Sequence, residues 1–132
     1  MNPICNCLSL RQASRRVTQL YDQALAPLDL RATQLSMLRM IDQLGPTALN
    51  PLAEAMVMDR ATLGHNVRPL QARGLVRLVV GKDRRSREIS LTRKGREALA
   101  EGWKLWRKAQ SAFERELGPD TAVALPRPRW RP

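Results

Sequence analysis

Apolar side chains in the first part of the chain recur at helical steps. Leu10, Ala13, Val17, Leu20 and Ala24 follow at three- and four-residue intervals, the mark of one helix face over residues 8–26, which Pro27 ends. A second helix is expected from Thr33, read as its N-cap, with Leu35, Leu38, Ile41 and Leu44 inward and Gly45-Pro46 as the stop. Asn50-Pro51 reads as the cap and first residue of a short third helix over 51–57. Asp59 is the expected cap of a fourth, with Leu63, Val67 and Leu70 inward and Gly74 as its end. Pro69 lies inside that helix and deletes the bond to the His65 carbonyl, which predicts a bend. So close a coupling of a short helix to a longer one is the helix-turn-helix pattern.

After Gly74 the pattern changes. Residues 75–80 and 87–91 are short runs rich in aliphatic side chains, joined by the polar turn Gly81-Lys82-Asp83-Arg84-Arg85-Ser86, and read as a hairpin. Thr92 then caps a long fifth helix in which Leu99, Trp103, Trp106, Gln110, Phe113 and Leu117 keep four-three spacing. A seam of that length on a small domain predicts a second chain against it. A sixth helix begins at Pro119, and residues 126–132 alternate Pro with Arg and Trp, which predicts a flexible basic tail. The fold class expected is mainly α with a small β-hairpin. No internal repeat is visible.

Composition narrows what this chain can do. At 132 residues with 43% hydrophobic side chains it fits one domain able to form a core. Its formal charge is +11, and residues 60–96 hold eleven of the 23 basic side chains against two acids, Asp83 and Glu88. A helix followed by a hairpin tipped with Lys and Arg can set one element in a DNA groove and clamp phosphates beside it, so duplex DNA leads RNA and anionic membrane as partner. No apolar run approaches the roughly 20 residues that span a bilayer, and the start lacks the order of a signal peptide. A cytoplasmic protein is expected. Cys5 and Cys7 sit two apart, too close for an unstrained disulfide and too few for zinc, and are read as reduced, partly buried thiols. With one histidine and no glycine-rich phosphate loop, neither an enzyme, a metal nor a cofactor is expected.

The string Asp83-x-Arg85, Ile89-x-Leu91-Thr92 and Gly95, with Gly74-Leu75-Val76 before it, resembles the wing signature of the MarR family. The resemblance covers roughly residues 8–125. It implies a winged helix-turn-helix domain plus long dimerisation helices: 1–30 an N-terminal dimerisation helix, 31–92 the DNA-binding lobe, 93–125 C-terminal dimerisation helices and 126–132 the tail. It also implies a homodimer on a pseudo-palindromic operator, usually a repressor released by a small molecule or by oxidation. Two recognition helices related by a dyad read two half-sites about one helical turn apart, where a single helix reads only a few base pairs.

Candidate DNA contacts on the fourth helix are Arg60, bidentate to guanine, Thr62, His65, Asn66 and Arg68, the last a phosphate contact or a partner of Asp83. On the hairpin, Arg84 and Arg85 lie near the tip, and the resemblance makes Arg85 the minor-groove candidate. Lys82 and Arg87 neutralise phosphate, and Asp83 holds the turn by hydrogen bonding or by pairing with an arginine. Within the family, Cys7 with Ala13-Ser14-Arg15 and Leu20-Tyr21 resembles the first helix of the OhrR branch, whose reactive cysteine senses organic hydroperoxides. There Cys7 falls on the reactive position and Tyr21 on one of its hydrogen-bonding tyrosines. A second tyrosine is replaced by Arg11, one turn from Cys7 and suited to stabilising a thiolate, and those of the next helix are replaced around Ala32 and Leu35. The competing sensor is a ligand pocket lined by Trp103 and Trp106. The competing function is an architectural binder that grips phosphate without reading sequence.

Overall fold

The computed structural model describes residues 3–124. In chain order it contains α1 (Asn6–Leu25), a 3-10 turn (Ala26–Leu28), α2 (Ala32–Leu44), β1 (Thr47–Ala48), α3 (Leu49–Met56), α4 (Arg60–Ala72), β2 (Val76–Val80), β3 (Arg87–Leu91), α5 (Arg93–Leu117) and α6 (Pro119–Ala124). The basic tail expected at 126–132 lies outside the described residues.

One core joins the middle of the chain. Leu35, Leu38 and Ile41 from α2 meet Leu52 of α3, Leu63, Val67 and Leu70 of α4, and Leu75, Val76, Ile89 and Leu91 around the sheet. All are nearly inaccessible, so cutting one such leucine to alanine costs about 2–5 kcal/mol. The strands form an antiparallel sheet ordered β1-β3-β2, with Val76 opposite Leu91 and Val80 opposite Arg87. The hairpin is therefore not free-standing: β1 pairs Thr47 with Ile89 and Ala48 with Glu88, anchoring the middle of β3 on the side opposite β2.

Two helix starts differ from the sequence expectation. Thr33 is not a cap; α2 opens at Ala32, whose amide donates to the Asp22 carboxylate at 2.7 Å, while the Arg31 amide donates to Gln34 Oε1. The donor site is filled from α1, ten residues upstream. Asn50 is not a cap either. Pairing of Thr47 and Ala48 with β3 carries the extended chain directly into α3 at Leu49, which leaves Asn50 and Pro51 inside the first turn. The caps read at Asp59 and Thr92 are present, each accepting a backbone amide three residues on. Gly74 ends α4 with φ +71°, and α4 continues as a helix through Pro69.

The long helix also packs differently from the single seam expected. The buried positions of α5 are Gly95, Gly102 and Ala109, seven residues apart, where the chain's own elements press against it. A Cβ at Gly102 would lie 2.5 Å from Leu35 Cδ1. Part of the Trp106–Phe113 stretch faces α1 of the same chain: the Tyr21 ring lies between Trp106 and Phe113, and its hydroxyl donates to Gln110. By contrast residues 3–16 are all exposed. Ile4 is 82% exposed, Leu8 52% and Leu10 71%. Cys5 and Cys7 are exposed rather than partly buried, because this part of α1 projects beyond the body.

Candidate nucleic-acid interface

The interface is built first from the ends of α3 and α4. Val57 leaves α3 in the left-handed conformation (φ +54°), and two residues later Asp59 caps α4. Its carboxylate accepts from the Thr62 amide at 2.7 Å and the Thr62 hydroxyl at 2.8 Å, and these bonds, the amide foremost, hold its carboxyl below the usual carboxylate range. Arg60 reaches back to donate to Asn50 Oδ1 at 2.8 Å, tying the start of α4 to the start of α3. Asn66 donates to the Thr62 carbonyl. Because Leu63, Val67 and Leu70 point into the core, Arg60, Thr62, His65 and Arg68 stand exposed on the outer face, and Asn66 is half-buried. Nothing in the sequence pattern pointed to Asn50 as the orienting partner of Arg60, since the pair is ten residues apart on two helices.

The hairpin is held differently. Its turn is closed by backbone and short side chains: Gly81 donates to the Ser86 carbonyl, Ser86 donates to the Asp83 carbonyl through both amide and hydroxyl, and the Arg85 amide donates to Asp83 Oδ1 at 3.1 Å. The alternative pairing of Arg68 with Asp83 does not form, since that carboxylate is turned inward on its own loop. Lys82, Arg84, Arg85 and Arg87 are exposed. Among the described residues the ion pairs are Arg93–Glu97 and Lys104–Glu101, both on α5, so no cation of α4 or of the hairpin is neutralised by a carboxylate. Unneutralised guanidinium groups on one helix and one adjoining hairpin form a surface that favours a polyanion, with strong salt dependence.

No family model and no curated protein sequence matches the chain. Solved structures do. The crystal structure of the M. tuberculosis transcriptional regulator MosR in complex with DNA superposes with a TM-score of 0.84 at 35% identity, over 92% of this chain and 91% of that one. The transcriptional repressor CouR, bound to a 23-mer DNA duplex, gives 0.82 at 28% identity over 92% and 87%. Wild-type MarR from E. coli gives 0.76 over 94% and 93%; at 20% identity this likeness concerns the fold. The chain belongs to the MarR family of transcriptional regulators. Among the described residues of this MarR-family chain, no helix is long and apolar enough to cross a membrane.

The residues considered for sensing are distributed over the MarR-family frame in two places. Cys7 and Arg11 lie on the exposed half of α1. Tyr21 is fourteen residues further along the same helix, about 21 Å at 1.5 Å per residue, with its hydroxyl engaged by Gln110. One chain therefore does not bring Cys7 and Tyr21 together. Burial, and then the nearby Glu114 carboxylate, raise the Tyr21 hydroxyl above its ordinary value. The thiol with a visible structural role is instead Cys5, whose sulfur accepts the Leu8 amide at the start of α1. In the second place, Trp103 and Trp106 stack with centroids 4.3 Å apart and planes within 4°, and the Arg39 guanidinium lies 4.3 Å over the Trp103 ring. A cavity of about 260 Å³ is lined by both indoles with Leu35, Ser36 and Met40. Beyond Arg39 it adjoins a groove of about 480 Å³ bordered by Arg96, Lys104 and Arg107.

Proposed function

We propose that this MarR-family chain is a homodimeric repressor that acts in the cytoplasm on a pseudo-palindromic operator, each protomer seating the N-terminal end of α4 in the major groove. Residues 1–30 and 93–125 build the dimer in this reading, and residues 31–92 the DNA-binding lobe. Arg60 offers two donors to guanine, Thr62, His65 and Asn66 meet neighbouring base edges, and Arg68 neutralises phosphate. Arg85 enters the minor groove, Lys82, Arg84 and Arg87 flank it, and Asp83 shapes the turn. The carrying observation is that these cations have no carboxylate partner among the described residues while their two elements share one core. Ile4, Leu8 and Leu10 support the second copy: fully covering an exposed side chain of this size stabilises by about 1.5–3 kcal/mol, and the chain leaves Ile4 and Leu10 mostly and Leu8 about half exposed. MosR and CouR were each solved on DNA.

Selection from a random duplex library, with light scattering of the complex, tests this. A palindrome with half-sites about one helical turn apart, held by two chains, is the expected result. Equal affinity for selected and scrambled duplexes would instead make the protein an architectural binder.

Release is proposed to come from a small aromatic anion beside Trp103 and Trp106. The stacked indoles offer a flat apolar wall, and around it Arg39, Arg96 and Arg107, with Lys104 paired to Glu101, outnumber the one lining carboxylate, Asp42. Titrating tryptophan emission with benzoate measures that binding. The alternative is oxidation of Cys7 by an organic hydroperoxide, with Arg11 one turn away to stabilise the thiolate and any tyrosine contact supplied by the second protomer, because Tyr21 of its own chain is out of reach. Operator release by cumene hydroperoxide that is lost in Cys7→Ser would favour oxidation; release that persists removes Cys7.

A further inference from the structure

Three elements meet at one side chain that the functional reading leaves unused. Arg73, the residue that closes α4, sends Nη1 to the Asp29 carbonyl at 2.6 Å and Nη2 to the Leu28 carbonyl at 3.3 Å. Those carbonyls terminate the 3-10 turn that continues α1, and Asp29 is in the left-handed conformation (φ +52°) that ends it. Carbonyls at a helical terminus lack intrahelical donors and carry partial negative charge, so a guanidinium is a fitting partner. The carbonyl of Arg73, at the end of α4, accepts in turn from Lys94 Nζ in the first turn of α5 at 2.9 Å. Beside it Thr92 Oγ1 donates to the Gly74 carbonyl, and a Cβ at Gly95 would stand 2.0 Å from the Leu75 carbonyl, so α5 abuts the same corner without clearance.

We infer that Arg73 is a positioning residue for DNA reading: it fixes the angle between α4 and α1, and through α1 the half-site spacing that the dimer accepts. The Arg60–Asn50 bond ties the start of α4 to α3 but not to α1, and the rest of the helix is held by Leu63, Val67 and Leu70. Apolar packing of that kind is non-directional, whereas the two bonds of Arg73 to consecutive carbonyls define a direction. Arg60 lies about 20 Å along the helix from Arg73. A tilt of about 10° at this joint therefore displaces the reading end by about 3 Å, more than a base-edge hydrogen bond tolerates.

The inference rests on the dimeric, operator-reading function proposed above, and the test separates the two. Anisotropy titrations compare the selected operator with a version carrying one base pair inserted at its centre, using wild type, Arg73→Gln, Arg73→Lys and the core control Ile41→Val. Wild type is expected to lose about thirtyfold on the insertion, the scale of one badly placed contact, and Ile41→Val to keep that ratio while melting lower. Arg73→Gln is expected to lose about fivefold or less, and Arg73→Lys, which retains charge but not the fork, to fall between. An Arg73→Gln protein that keeps the wild-type ratio overturns the inference, and Arg73→Lys decides in the same way if the glutamine variant does not fold. A wild type indifferent to the insertion sinks the dimeric reading itself, and this inference with it, before any variant is made.

Discussion

The two halves of the candidate interface are held in opposite ways. On α4 three of the five candidate contacts are already engaged within the protein, Arg60 on Asn50, Thr62 on Asp59 and Asn66 on the Thr62 carbonyl, while His65 and Arg68 stand exposed. On the hairpin the backbone of the turn is closed, while the side chains of Lys82, Arg84, Arg85 and Arg87 extend into solvent. Fixing a long side chain before the partner arrives removes much of the conformational entropy that binding would otherwise cost. That arrangement suits a group that must meet one base edge in one geometry. Phosphates repeat along the duplex and accept a cation from many directions, so a mobile guanidinium loses little there. Within the proposed function, the contrast suits Arg60, Thr62 and Asn66 to sequence reading and the hairpin to charge neutralisation.

Breaking the reading half should have the largest effect. Arg60→Ala is expected to weaken the selected operator by about 10- to 100-fold, the value of a bidentate base contact, and scrambled duplex only a few-fold. An equal loss on both duplexes in anisotropy titrations would erase the distinction. Arg85→Ala should weaken both duplexes alike, by about three- to tenfold, and make the dependence of log affinity on log salt shallower by about one unit. Val57→Gly separates frame from interface. Relieving a β-branched residue at φ +54° that is 91% exposed should raise unfolding stability by about 1 kcal/mol in urea titrations and leave both affinities unchanged. Asn50→Ala releases Arg60 without removing it, so operator affinity should fall about threefold at an unaltered salt slope.

The smallest effect concerns pH. Asp59 has a folded-state pKa below its ordinary value, so its contribution is present above that ordinary value and is lost as pH falls through the lowered one. Urea titrations from pH 5 down to pH 3 should find wild type losing more stability than Asp59→Asn, which keeps an acceptor but does not titrate. Equal losses would remove the charged cap from the account of α4.

Local chemistry made most of this fold legible. Asp59, Thr92 and Gly74 mark their helix ends because each acts within three or four residues, and the hairpin follows from its strand runs and turn. Misreadings arose where the deciding partner lies elsewhere in the chain. Thr33 gave way to a cap supplied by Asp22, and Asn50 gave way because β1, only two residues long, pairs with a strand some forty residues later. At the interface the sequence marks which cations lie on α4 and the hairpin, but not that Asn50 orients Arg60 or that Arg73 bridges to the end of α1. The stripe of Gly95, Gly102 and Ala109 escaped because small residues carry almost no periodic hydrophobic signal, although they mark where backbones come closest.

That close approach has a genetic corollary. With a backbone oxygen where a methyl group would go, Gly95 admits no other residue unless two elements separate. Derepressed alleles recovered from an unbiased screen should accumulate at this codon, in a protein whose every DNA contact is still encoded intact.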